Sequence, residues 1–556
     1  MTWLPIAAWL AAYNRSWLKS DILAGLTVWA LVVPQAIAYA QIAGLPPQAG
    51  VFASFAAPLG YALFGTSRQL VASPTSATAA ISASLVLPLA ATNDPGEYAA
   101  LSAILAILCG VLFLILGKFR MGFLSQFIAP AVQTGFLVGL GLTIMVGQLF
   151  KVFGISGIDG PFYKQAWHFL SHIDETSGWT LAIGGFSLVA LLILSRFAPG
   201  VPSALVMVGV SIVVVTLLDL GDKGVAIVGN VDQAIPLPKI PVVDVSDLLV
   251  LIPGTLAIVV IGYSESMSVA RQFADKHHYE VRSNQELVAL GMSSIFGGLF
   301  QGFITAGGAS QSAANDRAGA KTQVSSLVLA GLAFLSAVLL MPLFENLPLA
   351  VLGAIVIYAV LGFVNIPAMK RIFVLRRDSF FVACLALAGV LLLGILPGLL
   401  IAVALSVLLL LGRIARPTGD ELGKLRGSPA FVSSGRHEDA VRLPGLLIYR
   451  LNAPLLFVNA IWMRDSLNEL IRQADPPPRV VVLDMESSSD LDLGGLDVLH
   501  SIHRDLEHQK IEVWLANVHH PVRAVLERSE RAQALGGSRV FRSLEEATKA
   551  YQQQST

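Results

Sequence analysis

The stretch D-L-L-V-L-I-P-G-T-L-A-I-V-V-I-G-Y-S-E-S-M-S-V-A-R, residues 247–271, decides the fold class. Between Asp247 and Arg271 it carries a single charge, Glu265. A run this long and this apolar reads as a helix crossing a hydrocarbon core roughly 30 Å thick, which takes about 20 residues. A carboxylate inside such a core costs a few kcal/mol even on lenient insertion scales, so an acid retained there is by default a functional residue.

Working outward, apolar runs of spanning length recur from residue 22 to about residue 412. About fourteen segments are expected, starting near residues 22, 48, 75, 98, 127, 178, 202, 249, 285, 308, 324, 347, 379 and 395, with those near 285 and 308 the weakest. The composition agrees: 55% of the 556 residues are hydrophobic and 13% charged, and the mean hydropathy is +0.70. Those values exclude an ordinary soluble enzyme and a disordered chain. A formal net charge of zero gives nucleic acid nothing to bind. Cys109 and Cys384 lie in apolar runs without metal-ligand spacing, so neither a disulfide framework nor a metal site is expected. Trp3–Ala12 is apolar but follows no basic stretch, which argues against a cleavable signal.

Charge placement orients the segments. Basic residues cluster at Arg15/Lys19, Arg68, Lys118/Arg120, Arg196, Arg271/Lys276/Arg282, Arg317/Lys321, Lys370/Arg371/Arg376/Arg377 and Arg413/Arg416. With fourteen segments, each cluster precedes the first or follows an even-numbered one. The positive-inside rule then places both termini in the cytoplasm of a cell (inner) membrane. The opposite loops are basic-poor or acidic, as at Asp94/Glu97 and from Asp219 to Asp247.

Past Arg416 the character changes. Residues 413–440 read as a polar linker, with Pro417–Glu438 Gly-containing and turn-rich. Residues 441–551 alternate strand-like runs (Leu446–Tyr449, Val480–Leu483, Ile511–Leu515) with amphipathic helix patterns (Trp462–Gln473, Gly495–His508, Pro521–Ala534). That alternation predicts a small cytoplasmic α/β domain after a transmembrane domain of residues 1–412.

The membrane part repeats itself, over about 15–220 and 245–412. Gly25–Gln35 resembles Gly254–Glu265, and Ser73–Ala80 resembles Gly307–Ala314. Seven segments separate the copies, and an odd number inverts the topology. Inverted repeats place their substrate at the midplane, between discontinuous helices. Ser73 and Pro74 read as one helix start, through a capping hydroxyl and a first-turn proline. Gly308 and Ala309, after Gly307, read as another, where glycine permits irregular backbone. Two facing helix N-termini offer free amides and partial positive charge, which makes an anion site without a lysine. The competing reading is close helix packing through small residues. It explains the Ala and Gly but not a Ser-Pro and a Gly-Gly at matching repeat positions. Gln35 and Tyr39 are four apart and share one helix face.

The runs D-I-L-A-G-L-T-V, V-P-Q-A-I-A-Y-A, A-G-L-P-P and F-G-T-S-R, within Asp21–Pro74, resemble the signature of the sulfate permease (SulP) family, solute carrier family 26. N-Q-E-L-V-A-L-G (Asn284–Gly291), I-F-G-G (Ile295–Gly298) and G-A-K-T (Gly319–Thr322) are similar to the family's second half. The resemblance covers nearly the whole chain, including a STAS domain after the last segment. It implies an α-helical polytopic fold of two inverted seven-segment repeats, a core domain moving against a gate domain, and a homodimer. It also implies transport of small anions such as sulfate, bicarbonate, chloride or dicarboxylates; the sequence carries no Walker loop, so ATP is not expected to drive it. By the same resemblance, Gln35 and Tyr39 line the pocket from segment 1, Thr75 from segment 3, and Ser310 contacts the anion from segment 10. Two departures stand out. Many relatives carry an arginine where this chain has Gln311, so one fixed positive charge is missing. Relatives that use sodium resemble Asp-x-x-x-Thr on segment 8, whereas this chain has Glu265 and Val269. The missing hydroxyl favours a proton over sodium as coupling ion.

Burial disfavours the charged form of a carboxyl. Protonation of Glu265 would remove repulsion toward an incoming anion, which gives an H⁺/anion symport expectation. The competing reading makes Glu265 a structural acid bonded to broken-helix backbone or to an arginine. Other function classes stay open: an uncoupled anion channel or exchanger, or a membrane-anchored STAS signalling protein. Asp316 and Arg317 read as a local ion pair, and His277/His278 as a solvated pair. Phosphorylated STAS relatives resemble D-S-S-G-L where this chain has Asp492–Leu496 (D-L-G-G-L), so both hydroxyls are absent. A dimerisation or regulatory role, with a possible cytoplasmic regulator, is expected of that domain instead.

Overall fold

The computed structural model describes residues 5–90, 94–126, 129–158, 160–198, 201–229, 237–529 and 539–554. Two compact units result, residues 1–407 and 408–556. The membrane unit contains, in order, α1 (Pro5–Ala11), α2 (Leu18–Ile42), α3 (Pro47–Phe64), β1 (Ala72–Ser73), α4 (Ser76–Val86), α5 (Pro95–Lys118), α6 (Pro130–Phe153), α7 (Phe162–Ser171), α8 (Gly178–Phe197) and α9 (Ser203–Leu217). It continues with α10 (Val245–His277), α11 (Ser283–Leu299), β2 (Ala306–Gly307), α12 (Ala309–Arg317), α13 (Val324–Leu335), α14 (Leu349–Val360), α15 (Ile366–Leu375), α16 (Arg377–Leu393) and the start of α17 (Ile395–Ala415). A helix begins within four residues of every expected segment start. Among the described residues, eight helical stretches are long and apolar enough to cross a membrane, and α4 and α9 are shorter apolar helices.

Packing sorts these helices into two groups. α2, α3, α4, α5, α10, α11, α12 and α13 pack on one another as a core group. α6, α7, α8, α14, α15 and α16 form a gate group, joined by α9 through α8 and α14. Small residues let the gate helices close up, as expected where apolar lipid supplies no drive for helix association. A Cβ at Gly135 of α6 would lie 2.0 Å from the Ala383 carbonyl oxygen of α16, so only glycine fits that crossing. The groups meet where α2 touches α9 and α14 and where α4 touches α14. There Lys151 Nζ, on α6, donates to Gln41 Oε1, near the end of α2, at 3.2 Å.

The matched repeat stretches adopt one local form: a two-residue strand leading into a short helix. β1 pairs with β2 antiparallel, in register Ala72↔Gly307 and Ser73↔Ala306. α4 and α12 therefore leave a shared ladder in opposite directions. The helix start expected at Ser73-Pro74 is displaced. Ser73 belongs to β1, and Thr75 is the N-cap, accepting from the Thr78 amide while the Thr78 hydroxyl accepts from the Thr75 amide. Pro74 thus precedes the cap instead of opening the first turn, because β1 draws Ser73 into the ladder. Gly308 is the N-cap of α12, and Ala309 is its first residue.

In the second unit the stretch expected as a linker carries strands. β3 (Gly419–Leu425) and β4 (Phe431–Ser433) pair antiparallel, β5 (Ala440–Val441) joins β3, and β3 also pairs with β6 (Leu446–Leu451). The rest alternates as read: α18 (Phe457–Gln473), β7 (Val480–Asp484), α19 (Leu493–His508), β8 (Glu512–Ala516), α20 (His520–Arg528), β9 (Val540–Phe541) and a last helix, Leu544–Gln554. Residues 530–534 of the expected Pro521–Ala534 helix fall outside the described residues. The sheet order is β4-β3-β6-β7-β8-β9, parallel from β6 onward. Alternate residues face opposite sides. Leu447, Tyr449, Val481, Leu483, Val513 and Leu515 pack toward α18–α20, while Leu446, Ile448, Val480, Val482 and Trp514 pack toward Leu544, Ala547 and Tyr551. Burial on both faces explains the unbroken Val480–Leu483 run.

Candidate functional site

The site is built around the β1–β2 ladder, and side chains from the neighbouring helices hold that ladder in place. The Ser312 hydroxyl accepts from the Val71 amide at 2.9 Å, and the Ser266 hydroxyl of α10 accepts from the Gly307 amide at 2.7 Å. Gly308 N–H donates to the Val71 carbonyl at 3.0 Å. Asn315 Nδ2 donates to the Gln69 carbonyl at 3.1 Å. Every bond ties one half of the chain to the other or α10 to the ladder, so the two half-helix starts are fixed relative to each other.

The half-helix starts are unlike each other. α4 closes its own N-terminus through the Thr75–Thr78 capping box. α12 begins at Gly308 without a side-chain cap. The first amides of a helix have no intrahelical partner and need one from outside. Ala309 and Ser310 are exposed although Gly308, Gln311 and Ser312 around them are buried. The open helix start therefore has its first two residues accessible.

Gln311 lies across this start. Its Nε2 donates to Gln35 Oε1 of α2 at 3.2 Å and to the Pro74 carbonyl at 3.5 Å. A Cβ on Gly308 would fall 1.5 Å from Gln311 Oε1, so glycine there gives the folded-back amide its room. Gln311 is thus a crosspiece joining α2, the lead-in to α4 and α12. With Gln35 Oε1 accepting from it, the Nε2 hydrogens of Gln35 are left to donate elsewhere. Pro34, inside α2, removes one amide from the helix just before Gln35.

Tyr39 is buried one turn further along α2. Ser76 and Glu265 both lie near its hydroxyl. Glu265 sits in the middle of α10 with Oε2 enclosed and without a hydrogen-bond partner among the described residues. The structural-acid alternative needs a backbone or arginine partner for the carboxylate, and at Oε2 the described residues supply none. Val269, one turn on, is buried and apolar.

Gln35, Tyr39, Thr75, Gln311, Ser310 and Glu265 thus come from four elements to one region around the ladder. Thr75 has its hydroxyl engaged in the cap. Ser73 Oγ is buried without a partner among the described residues. Two outlying expectations are corrected. Asp316 pairs not with Arg317 but with Lys276 (2.6 Å) and His277 (2.5 Å), which α10 carries past the end of α12. His277 is therefore a partner in that contact and not a freely solvated side chain.

Two buried acids of the membrane unit were missed. Glu286 accepts from the Tyr61 hydroxyl (2.6 Å), the Thr66 amide (2.8 Å) and hydroxyl (2.5 Å), and the Ser67 amide (3.3 Å). Asp21 accepts from the Lys321 amide (2.6 Å) and from the Thr322 amide (3.1 Å) and hydroxyl (2.7 Å). These acids join N-Q-E-L to F-G-T-S and D-I-L-A-G to A-K-T, so motifs far apart in sequence are halves of two fastenings. Their sequence signal was an acid within an apolar segment, the one used for Glu265, obscured because both stand in a helix's first turn.

Residues 18–386 match the sulfate permease family, and residues 438–547 match the STAS domain. The chain belongs to the sulfate permease family. Among its relatives, a probable sulfate transporter of Mycobacterium tuberculosis is 36% identical over 550 residues, spanning 99% of this chain and 98% of that protein. Sulfate transporter 1.3 of Arabidopsis thaliana is 30% identical over 573 residues, spanning 98% and 86%. The murine solute carrier 26 family member A9 anion transporter, in its inward-facing state, has the same fold: TM-score 0.90 at 24% identity, covering 99% of this chain and 94% of that one. The transmembrane domain of the cyanobacterial bicarbonate transporter BicA gives a TM-score of 0.62 at 20% identity, covering 71% and 98%. This sulfate permease family member is a multi-pass membrane transporter and not an enzyme.

Proposed function

We propose that the chain carries a small anion of the sulfate, bicarbonate or dicarboxylate class across the cell membrane, in symport with a proton held by Glu265. The observation that carries this reading is the accessible start of α12, without a side-chain cap, together with a buried Glu265 oxygen that lacks a partner among the described residues. The anion would take the free amides of α12, the Ser310 hydroxyl and the Nε2 hydrogens of Gln35. Glu265 with its proton presents no charge to that anion, and without it repels the anion. Loading of one then favours loading of the other, which couples the fluxes.

The same reading has the core group move against the gate group in an elevator-like step, within a homodimer with both termini cytoplasmic and the STAS domain as a regulatory module. It is supported by the two packing groups and by the cross-bonded ladder, which makes the site one body with the core. The sulfate transporters among the relatives favour sulfate as the first substrate to try.

Uptake of labelled sulfate into proteoliposomes under an imposed inward proton gradient tests the coupling. Glu265→Gln is expected to retain anion binding and exchange but to lose acceleration by the gradient. If this variant transports with the wild-type pH dependence, Glu265 is not the proton carrier. Competition by unlabelled bicarbonate, chloride, fumarate and succinate ranks the substrates.

A further inference from the structure

A second polar cleft of about 290 Å³ opens at the end of the core group from which α2 starts. α1 forms one side, the loop from α3 to β1 another, the loop from α10 to α11 a third, and Thr322-Gln323 the fourth. It is separate from the site around the ladder, and none of the transport residues lines it.

Four features define what it would hold. Arg68 and Arg282 line it with exposed guanidinium groups, and neither forms an ion pair with a carboxylate among the described residues. Arg68 is positioned over the Tyr279 ring, 5.2 Å from its centroid, a contact that leaves its edge N–H groups free to donate. Glu280 also lines the cleft, so the lining carries two guanidinium charges against one carboxylate. Finally, two enclosed polar atoms of the lining residues have no partner among the described residues: Nε1 of Trp9, a donor, and Oε1 of Gln323, an acceptor on a residue 2% exposed. A buried polar atom without a partner is costly and calls for a ligand or a water.

Together these ask for a negatively charged group with several acceptor oxygens and, beside it, a donor for Gln323. Sulfate and chloride offer no donor. A phosphate ester with a free hydroxyl offers both, and guanidinium forks suit phosphate oxygens. We propose that this cleft binds a hydroxyl-bearing phosphate ester of the glycerol phosphate class, either as the headgroup of an anionic phospholipid or as a soluble metabolite. The proposal does not depend on which anion the transporter carries.

Occupancy would bear on the ladder. Gln323 Nε2 donates to the Ser67 carbonyl (2.8 Å) and the Leu70 carbonyl (2.9 Å), and Leu70 stands two residues before β1. A ligand that joins Trp9, Arg68 and Gln323 would pin α1 to the loop that leads into the site.

The test uses the full chain in neutral detergent, titrated separately with glycerol 3-phosphate, inorganic phosphate, phosphatidylglycerol and phosphatidylcholine. Readouts are the thermal midpoint and the tryptophan emission, compared with Trp9→Phe. Saturable binding of phosphatidylglycerol alone identifies a lipid headgroup, and saturable binding of glycerol 3-phosphate identifies a soluble ester; both support the proposal. At least a tenfold loss is expected in Arg68→Gln/Arg282→Gln, with the emission change absent in Trp9→Phe. If the double variant does not fold, Arg282→Gln alone carries the test. The proposal is overturned if neither ester binds, if inorganic phosphate or phosphatidylcholine binds equally tightly, or if the arginine variants bind like wild type. Transport is not a readout, so a failure here leaves the symport reading separately testable.

Discussion

Gln35 illustrates how one hydrogen bond decides what a side chain can do next. Because its Oε1 accepts from Gln311, only its NH₂ end remains to meet a substrate. Replacement by the near-isosteric glutamate would put a carboxylate where an anion needs a donor. Gln35→Glu is therefore expected to raise the KM for sulfate by at least tenfold, since hydrogen bonds to charged groups are worth about 1.5–3 kcal/mol; initial uptake rates in proteoliposomes measure it. An unchanged KM would place the anion elsewhere. Glu286 is the structural counterpart. Its removal as Glu286→Ala orphans buried donors on Tyr61, Thr66 and Ser67. A destabilisation of about 3–5 kcal/mol, typical of breaking a buried charged network, is expected to appear as a lower thermal midpoint and poor recovery from detergent. Glu286→Gln, which keeps an acceptor, should lose less. Glu265 was legible because nothing charged surrounds it in the sequence. Glu286 and Asp21 were not, because their partners lie more than 200 residues away and no local signal names them.

At the scale of elements, apolar runs and their Pro and Gly interruptions placed the helix starts, since both signals are local. Strands β3 and β4 escaped notice because Gly419–Leu425 (G-D-E-L-G-K-L) is polar with little alternation. Its pairing with β6 supplies the order that its own composition does not. Which half-helix start is open was equally hidden. Thr75 and Thr78 cap α4 by a contact any Thr-x-x-Thr can make, and the bareness of α12 follows from a glycine. A different capping device operates in the STAS unit. Asp492 Oδ1 accepts from the Gly495 amide at the start of α19, and its Oδ2 accepts from the Phe457 amide at the start of α18. One side chain therefore caps two helices at the turn where phosphorylated relatives carry hydroxyls. Loss of a capping side chain costs about 1 kcal/mol per helix. Asp492→Ala in the full chain is expected to speed hydrogen exchange of the first-turn amides of both α18 and α19. Faster exchange in α19 alone would refute the shared cap.

For the membrane unit as a whole, core and gate groups meet along α2, with α4 adding a contact to α14. Lys151 and Gln41 meet across that boundary, and Lys151 has no carboxylate partner among the described residues. If the core moves as a body, this contact must break in each cycle. A short bis-thiol cross-linker joining Gln41→Cys to Lys151→Cys, in a background with Cys109 and Cys384 replaced, is expected to abolish uptake while leaving anion binding intact. Uptake that survives complete cross-linking would exclude a rigid-body step at this boundary. The ladder between β1 and β2 has a further, kinetic consequence. If the core carries the site across as one body, a receptor whose two halves are hydrogen-bonded to each other has one shape and offers it to whichever reservoir it faces. Its microscopic dissociation constant for the anion is then the same from either side. A difference in half-saturation between the two faces would report the membrane potential and the proton activity on each side, not two different receptors.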